Sequence, residues 1–196
     1  MKKGIIALIV LAVLALILYS TGRSDYNRMV TLSEGVKAQW GNVENQYQRR
    51  ADLIPNLVNT VKGYATHESA TFEAVTEARS KATSVQLNFD QLNEESLARY
   101  SQMQGEISST LSRLLAISEN YPDLKANQNF RDLQVQLEGT ENRISTERRK
   151  FNEEAQGYNI CIAQFPRNIF AGLFGFKPTA YFEADEGASR APEVLF

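Results

Sequence analysis

The chain has 196 residues, one cysteine and a formal net charge of -2, with 21 basic residues scattered among 23 acidic ones. This length suits one domain plus an anchor, since compact domains commonly hold about 100–200 residues. The weak net charge and scattered basic residues argue against a nucleic-acid-binding protein, and a single cysteine excludes an intrachain disulfide framework and a cysteine-based metal cluster.

An uncharged apolar segment covers positions 4–20, and positions 5–18 contain only Ile, Leu, Val and Ala. With its flanks it reaches the length of about 17–25 residues that a membrane-spanning helix needs. A cleaved secretion signal is the alternative, but the segment is followed only by a poor small-x-small site, Ser20-x-Gly22. We therefore predict a transmembrane signal-anchor over residues 1–23. Two lysines before the segment favour a cytoplasmic N-terminus, although two arginines after it weaken that preference, so we expect the remainder outside the cytoplasm.

Beyond the anchor, apolar residues recur every three or four positions, as in helices that bury one face. Four such stretches follow one another, at 29–47, 57–82, 97–121 and 130–165. They are separated by Pro55, by a polar link over 83–93, by Tyr121-Pro122-Asp123, and the last is stopped by Pro166. The pattern predicts an all-α fold, with an N-terminal transmembrane helix followed by an antiparallel up-down four-helix bundle over residues 24–165.

Pro55 allows two interpretations, a kink in one very long helix or a tight hairpin. A kink would leave the apolar stripe from Met29 to Tyr47 uncovered within the monomer. A hairpin would give three helices of about 40 Å, at 1.5 Å per residue, and a longer fourth. We favour the hairpin, in which the end of the fourth helix returns towards the membrane.

Polar residues interrupt the apolar pattern at particular places. Arg50 stands seven residues after Val43, where an apolar residue is due. The candidate polar network comprises Arg50, Asn56, Asn59, Glu141, Asn142 and Arg143. If several of these side chains face inward, they form a buried network that requires full hydrogen bonding. We expect such a network to fix the register of the helices, and the alternative is a recognition surface for a partner.

The chain after the fourth stretch is rich in aromatic residues. Residues 166–182 form an aromatic amphipathic segment with basic residues at Arg167 and Lys177. The candidate membrane or oligomer contact comprises Phe165, Ile169, Phe170, Leu173, Phe174 and Phe176. Such a composition is typical of a segment in the membrane interface or of a hydrophobic contact between protomers, and a lid over the end of the bundle is the alternative. Residues 183–196 are expected to be a flexible polar tail.

Residues with reactive side chains occur without the partners that catalysis or metal binding needs. His67 is the single histidine, Cys161 adjoins an apolar stripe, and the glutamate pairs at 94–95 and 153–154 suit solvated helix faces. Neither a phosphate-binding glycine-rich loop nor a Gly-x-Ser-x-Gly sequence occurs. We therefore expect no enzymatic activity, and we assign no catalytic residue, cofactor or metal ligand.

Several blocks of the sequence recur in a known family. The first contains Trp40, then YQRRADLIPNLV from Tyr47, followed by TVKGYA and HE; the second contains YPDLKAN from Tyr121, Phe130 and TENRI; the third contains Tyr158-Asn159, Phe165-Pro166, Gly175-Phe176 and Tyr181-Phe182. In this order, from about Tyr26 to Glu183, the chain resembles the LemA family of bacterial membrane proteins. The resemblance implies a membrane helix followed by an antiparallel four-helix bundle, and it carries over no catalytic residue.

These observations predict a non-enzymatic scaffold or adaptor of the bacterial envelope. The protein is expected to span the inner (cytoplasmic) membrane once, to contact lipid through its N-terminal helix and to form a homo-oligomer. The family resemblance also implies envelope partners, such as a membrane metalloprotease. The alternative is a regulatory binding partner of a membrane protease or of an envelope stress pathway. We expect no nucleic-acid partner.

Overall fold

The computed structural model describes residues 2–85 and 87–183, and within these ranges all regular elements are helices. The α-helices are α1 (Lys2–Lys62), α2 (Ser69–Ser84), α3 (Glu94–Ile117), α4 (Pro122–Ala126), α5 (Gln128–Ala163) and α6 (Arg167–Phe174). Short 3-10 turns lie at Phe89–Gln91 and Ser118–Asn120. The all-helical fold class with a long apolar N-terminal helix is confirmed. Nearly all of the predicted flexible tail, residues 184–196, lies outside the described residues.

Helix α1 passes through Pro55 and ends only at Lys62. The hairpin predicted at this proline is therefore wrong. A proline inside a helix removes one backbone hydrogen bond and costs about 3 kcal/mol or more. On either side of it, Ile54, Leu57 and Val58 are buried, and burial of each such side chain contributes roughly 1.5–3 kcal/mol. This burial offsets the cost of the proline, and the chain turns instead over residues 63–68.

The first turns of α1 carry the apolar segment identified in the sequence. Its large apolar side chains between Ile5 and Leu18 are 52–70% exposed. Among the described residues, α1 is the one helix that is long and apolar enough to cross a membrane. An apolar surface of this extent, covered by no other part of the described chain, is what a lipid-facing helix requires.

Helix α3 begins with a reciprocal capping box. The Asn93 side chain accepts a hydrogen bond from the Ser96 backbone N–H at 2.9 Å, and the Ser96 hydroxyl accepts one from the Asn93 backbone N–H at 3.0 Å. Glu94 and Glu95 occupy the first turn, where the helix dipole favours negative charge. This cap sets where α3 begins.

The described chain divides into two compact units. Unit 1 contains α1 up to Gln39 together with Glu153–Thr179, and unit 2 contains Trp40–Asn152 together with the described residues 180–183. An apolar core in unit 2 draws on α1, α2, α3, α4 and α5. Its fully or nearly fully buried members include Ile54, Leu57, Val61, Val75, Ile107, Leu114, Leu124 and Phe130. Unit 1 buries a smaller set, among them Met29, Val36, Ala155, Tyr158 and Ile162.

Candidate functional site

A buried arginine joins three helices in unit 2. The Arg50 side chain on α1 is only 1% exposed. Its Nη1 donates to the Ser108 hydroxyl at 2.7 Å and to Glu141 Oε1 at 2.9 Å. Its Nη2 donates to the Gln104 backbone carbonyl at 3.0 Å and to Gln104 Oε1 at 2.6 Å. We call Arg50, Gln104 and Ser108 of α3 and Glu141 of α5 the Arg50 centre.

The charge of the Arg50 centre is balanced by a single carboxylate that reaches solvent. The Glu141 side chain is 38% exposed, whereas that of Arg50 is 2% exposed. The Tyr47 ring lies beneath the guanidinium, with its centroid 5.2 Å from Cζ, which adds a cation–π contact. The Nε atom of Arg50 and the Oε1 atom of Gln46 are buried without a hydrogen-bond partner. Since a guanidinium only donates hydrogen bonds, this arrangement suits the positioning of helices.

Burial raises the pKa of two side chains near the Arg50 centre and Trp40. Burial raises the pKa of the Tyr100 hydroxyl far above its ordinary value, and the nearby Tyr47 and Glu44 act in the same direction. Burial also raises the pKa of Glu44, an effect that the Trp40 indole partly offsets. The Trp40 indole N–H donates to the Leu87 carbonyl at 3.1 Å. Tyr100 therefore stays neutral and serves as a buried hydrogen-bonding and packing group.

The structure brings together only part of the candidate polar network. Arg50 and Glu141 form a salt bridge at 2.9 Å. The other four side chains, Asn56, Asn59, Asn142 and Arg143, are exposed. Gln104 and Ser108 take part although the sequence interpretation did not include them. A signal for Gln104 was present, because it stands between Tyr100 and Ile107 at the helical spacing of the buried stripe on α3.

Helix α6 packs against α1 within unit 1. A Cβ atom added at Gly22 would lie 3.1 Å from Cε1 of Phe170, so that ring covers the glycine. The Tyr26 ring meets Phe174 edge to face at 4.9 Å between centroids, and Phe176 at 5.7 Å. Arg167 Nε donates to Asp25 Oδ1 at 2.9 Å. This end of the chain is therefore attached to α1 by aromatic packing and by one ion pair.

Part of the aromatic segment remains uncovered. Phe165 is 80% exposed, Ile169 59% and Leu173 74%. These three residues, four positions apart, are called the exposed stripe below. Phe170 and Phe176 are half-buried, and Phe174 is exposed although it contacts Tyr26. The structure thus divides the six predicted contact residues into those that touch α1 and those that face outward.

The chain after α6 is held through its backbone by asparagines of α5. In unit 1, the Asn159 amide donates to the Thr179 carbonyl at 2.8 Å and accepts from the Thr179 N–H at 2.9 Å. In unit 2, Asn152 makes the same pair of bonds with Phe182, both at 2.8 Å. The Phe182 ring stacks on Trp40 with centroids 6.0 Å apart. Each asparagine replaces the partner strand that an extended backbone would otherwise need.

The sequence pattern of the LemA family matches residues 39–196. The chain belongs to the LemA family. The matched range contains all members of the Arg50 centre and all of α6.

The chain is also similar to individual LemA-family and magnetosome proteins. It is 29% identical to magnetosome protein MamQ 2 of Paramagnetospirillum magneticum, over 90% of this chain and 72% of that protein. It is 28% identical to magnetosome protein MamQ of Magnetospirillum gryphiswaldense, over 93% of this chain and 74% of that protein. Protein LemA of Metamycoplasma hominis is 27% identical, over 71% of this chain and 59% of its own length.

The reactive side chains of this LemA-family chain differ in their exposure to solvent. His67 is exposed, Cys161 is buried, and Glu94, Glu95 and Glu154 are exposed. Within residues 2–85 and 87–183, no group of three His, Cys, Asp or Glu side chains is placed to hold a metal ion.

Unit 2 also carries an open groove of about 790 Å³. Charged residues of both signs line it, including Glu94, Arg99, Arg148 and Glu183. Arg148 donates to the Glu183 carbonyl at 2.9 Å and lies 4.9 Å above the Phe182 ring. The groove is therefore partly formed by the docked segment itself, and its mixed charge selects no ligand class.

Proposed function

We propose that this LemA-family chain is a non-enzymatic, membrane-anchored helical scaffold or adaptor that self-associates in the bacterial envelope. The observation that carries the proposal is the continuity of α1, which extends from Lys2 to Lys62. The helix whose exposed apolar turns suit a bilayer is the same helix that supplies Arg50 to the centre in unit 2. A membrane helix and the central helix of a soluble part are thus one element.

In this proposal the second half of α1, together with α2, α3 and α5, forms an antiparallel up-down four-helix bundle. The Arg50 centre supports a fixed register, because its hydrogen bonds connect α1 to α3 and to α5 at one level. Sliding one helix by a turn would place the guanidinium against apolar side chains such as Ile107 or Ile144, both of which are buried. A charge left unpaired in that way is strongly unfavourable.

The proposed location is the inner membrane, with unit 2 on the extracytoplasmic side. The lysines before the apolar segment support this orientation. An exposed position such as Ala98 allows a direct test, because the native Cys161 is buried. A membrane-impermeant maleimide should label Ala98→Cys in intact spheroplasts as strongly as in lysed ones. Labelling only after lysis would reverse the orientation.

Self-association and anchoring are tested on the full-length protein. We expect it to stay with the membrane through carbonate extraction and to give a defined oligomer by mass photometry in nanodiscs. Release by carbonate would contradict the anchor. A monomer in nanodiscs, together with cross-links to other envelope proteins in native membranes, would contradict self-association and leave the adaptor as the function.

The non-enzymatic part of the proposal has its own test. His67→Ala, Cys161→Ala and Glu154→Gln should each complement a strain that lacks the protein as well as the wild type does. Loss of complementation by one of these variants, with its helical circular dichroism and membrane level unchanged, would show that a reactive side chain is required and would overturn this part of the proposal.

A further inference from the structure

The two faces of α6 differ in what they contact. Phe170 covers Gly22 of α1, and Ala171 is buried. The exposed stripe, formed by Phe165 in the preceding turn and by Ile169 and Leu173 of α6, points away from these contacts. The eight residues of α6 thus present apolar side chains on two faces, one packed on α1 and one facing outward.

The contacts of α6 with α1 lie where the apolar segment ends. The apolar stretch stops at Ser20, and α6 contacts Gly22, Asp25 and Tyr26. Gly22 is two residues beyond Ser20, which is about 3 Å along a helix axis at 1.5 Å per residue. Within unit 1, α6 therefore lies at the level at which a membrane-spanning α1 would leave the hydrocarbon.

We propose that α6 is an interfacial helix whose exposed stripe inserts into the lipid surface of the leaflet from which α1 emerges. The inference rests on the proposed anchoring of α1. Lipid is the occupant because Phe170 of α6 packs on Gly22, only three residues after Tyr19 and four after Leu18, both of which are exposed apolar side chains at the end of the N-terminal segment. Lys177, three residues beyond the end of α6, is exposed and suits the headgroup region, where such helices lie roughly 5–10 Å deep.

The geometry also assigns a role to the ion pair between Arg167 and Asp25. An arginine beside an apolar stripe would be drawn to lipid phosphates. Pairing with Asp25 at 2.9 Å instead holds the start of α6 against α1. The stripe is thus presented at a fixed rotation, and Phe170 stays on the protein side.

The test places one environment-sensitive fluorophore at a time on the full-length protein in nanodiscs of phosphatidylcholine and phosphatidylglycerol. Labels at Ile169→Cys and Leu173→Cys report the exposed stripe. Leu11→Cys reports the anchor, and Val135→Cys, an exposed apolar position on α5, reports exposure alone. We expect blue-shifted emission and quenching by doxyl-labelled lipid at 11, 169 and 173, and quenching by aqueous iodide only at 135.

The label at position 11 distinguishes a failure of the anchoring of α1 from a failure of the interfacial placement of α6. If position 11 is quenched by doxyl lipid while 169 and 173 are quenched by iodide, α6 lies in water and the inference is wrong although the anchor stands. If 11 is also quenched by iodide, the anchoring itself is wrong. If 169 and 173 are protected from both quenchers, a second protein chain covers the stripe, and the lipid assignment is overturned.

A pair of glycine variants tests whether docking on α1 holds the stripe at the lipid. In Gly22→Leu the new side chain meets Phe170, whereas in Gly41→Leu a Cβ atom would meet nothing within 4 Å. We expect Gly22→Leu to abolish most of the lipid quenching at 169 and 173, and Gly41→Leu to leave it unchanged. Equal quenching in both variants would show that α6 reaches the membrane without its contact on α1.

Discussion

The Arg50 centre and the exposed stripe of α6 depart from the usual distribution of side chains in opposite ways. In unit 2 a guanidinium is buried among helices, and in unit 1 three large apolar side chains face outward. Buried charges are rare in proteins unless they are paired. Large exposed apolar patches commonly mark a surface that something else covers.

The two regions differ in how they contribute to the free energy of folding. Burying a charge pair costs several kcal/mol of desolvation per ion by rough reckoning, which the pairing recovers only with good geometry. In its proposed role, the Arg50 centre therefore adds little to stability but makes any other register of the helices unfavourable. If the exposed stripe inserts into lipid as proposed, it contributes little to the folded state in water and acts only when lipid is present.

The largest expected effect comes from breaking the Arg50 centre on one side. Glu141→Ala leaves Arg50 buried without its carboxylate, which should lower the free energy of unfolding by about 3–5 kcal/mol. Arg50→Met removes the buried charge and keeps much of the volume, so it should cost less than Glu141→Ala. Denaturant titration in detergent, followed by the fluorescence of the single tryptophan Trp40, measures both.

The control for this pair is Glu138→Ala, which removes an exposed glutamate of the same helix and should change stability by less than about 0.5 kcal/mol. If Arg50→Met proves as destabilising as Glu141→Ala, the centre stabilises through its contacts, and the comparison with the exposed stripe loses its basis.

The second prediction concerns Asn152, whose side-chain amide forms hydrogen bonds with the backbone of Phe182 rather than with a charged group. Asn152→Ala removes two hydrogen bonds to Phe182 and should cost about 1–3 kcal/mol, at roughly 0.5–1.5 kcal/mol for each bond. The effect should be local, with faster amide hydrogen exchange at residues 180–183. Asn152→Asp keeps the acceptor and should show about half the change, whereas the exposed Asn142→Ala should show none.

A smaller effect is expected from the pH dependence of Glu44. Its carboxyl has a raised pKa in the folded protein, mainly because of burial, so the folded state holds this proton more tightly than the unfolded chain. This carboxyl therefore destabilises the protein as pH rises from its ordinary pKa of 4.5 through the raised value. Glu44→Gln should be more stable than the wild type at pH 7 and equal to it below pH 4.5. A variant less stable at pH 7 would contradict the assignment.

The smallest change in stability is expected where the surface is apolar. Replacing Ile169 and Leu173 together by serine should leave the unfolding free energy in detergent within about 0.5 kcal/mol of the wild type. The fluorescence of labels on α6 in nanodiscs should change nevertheless. A large loss of stability in detergent would show that the exposed stripe packs within the protein.

The helices were predictable because burial repeats every three or four residues, and this repeat is strong in α3 and α5. The continuation of α1 through Pro55 was not predictable from the sequence, because a proline indicates only the local cost of a lost backbone hydrogen bond. Whether that cost ends a helix depends on the burial of Ile54, Leu57 and Val58 against elements distant in sequence. The turn at residues 63–68 has a glycine at its start but no proline, and so gave a weaker signal.

The Arg50 centre was predictable in part. Arg50 lies on the same helical stripe as Ile54, Leu57 and Val61, all of which are buried, whereas Asn56 and Asn59 are turned away from that stripe by the helical rotation of 100° per residue, about 3.6 residues per turn. Helical spacing alone therefore excludes both asparagines from the buried stripe of α1 and places Gln104 on the buried stripe of α3. The backbone contacts of Asn152 had no signal in the sequence, since they depend on the return of the chain after α6.

The two asparagines of α5 have a consequence for how this sequence can drift over evolution. In unit 1, Asn159 holds Thr179 through main-chain atoms, and Tyr158 donates to the main-chain carbonyl of Lys177 at 2.9 Å. These bonds do not involve the side chains of Lys177 and Pro178, which are exposed. We therefore expect relatives to differ at 177 and 178 while the path of the chain stays the same, because α5 holds main-chain atoms of Lys177 and Thr179.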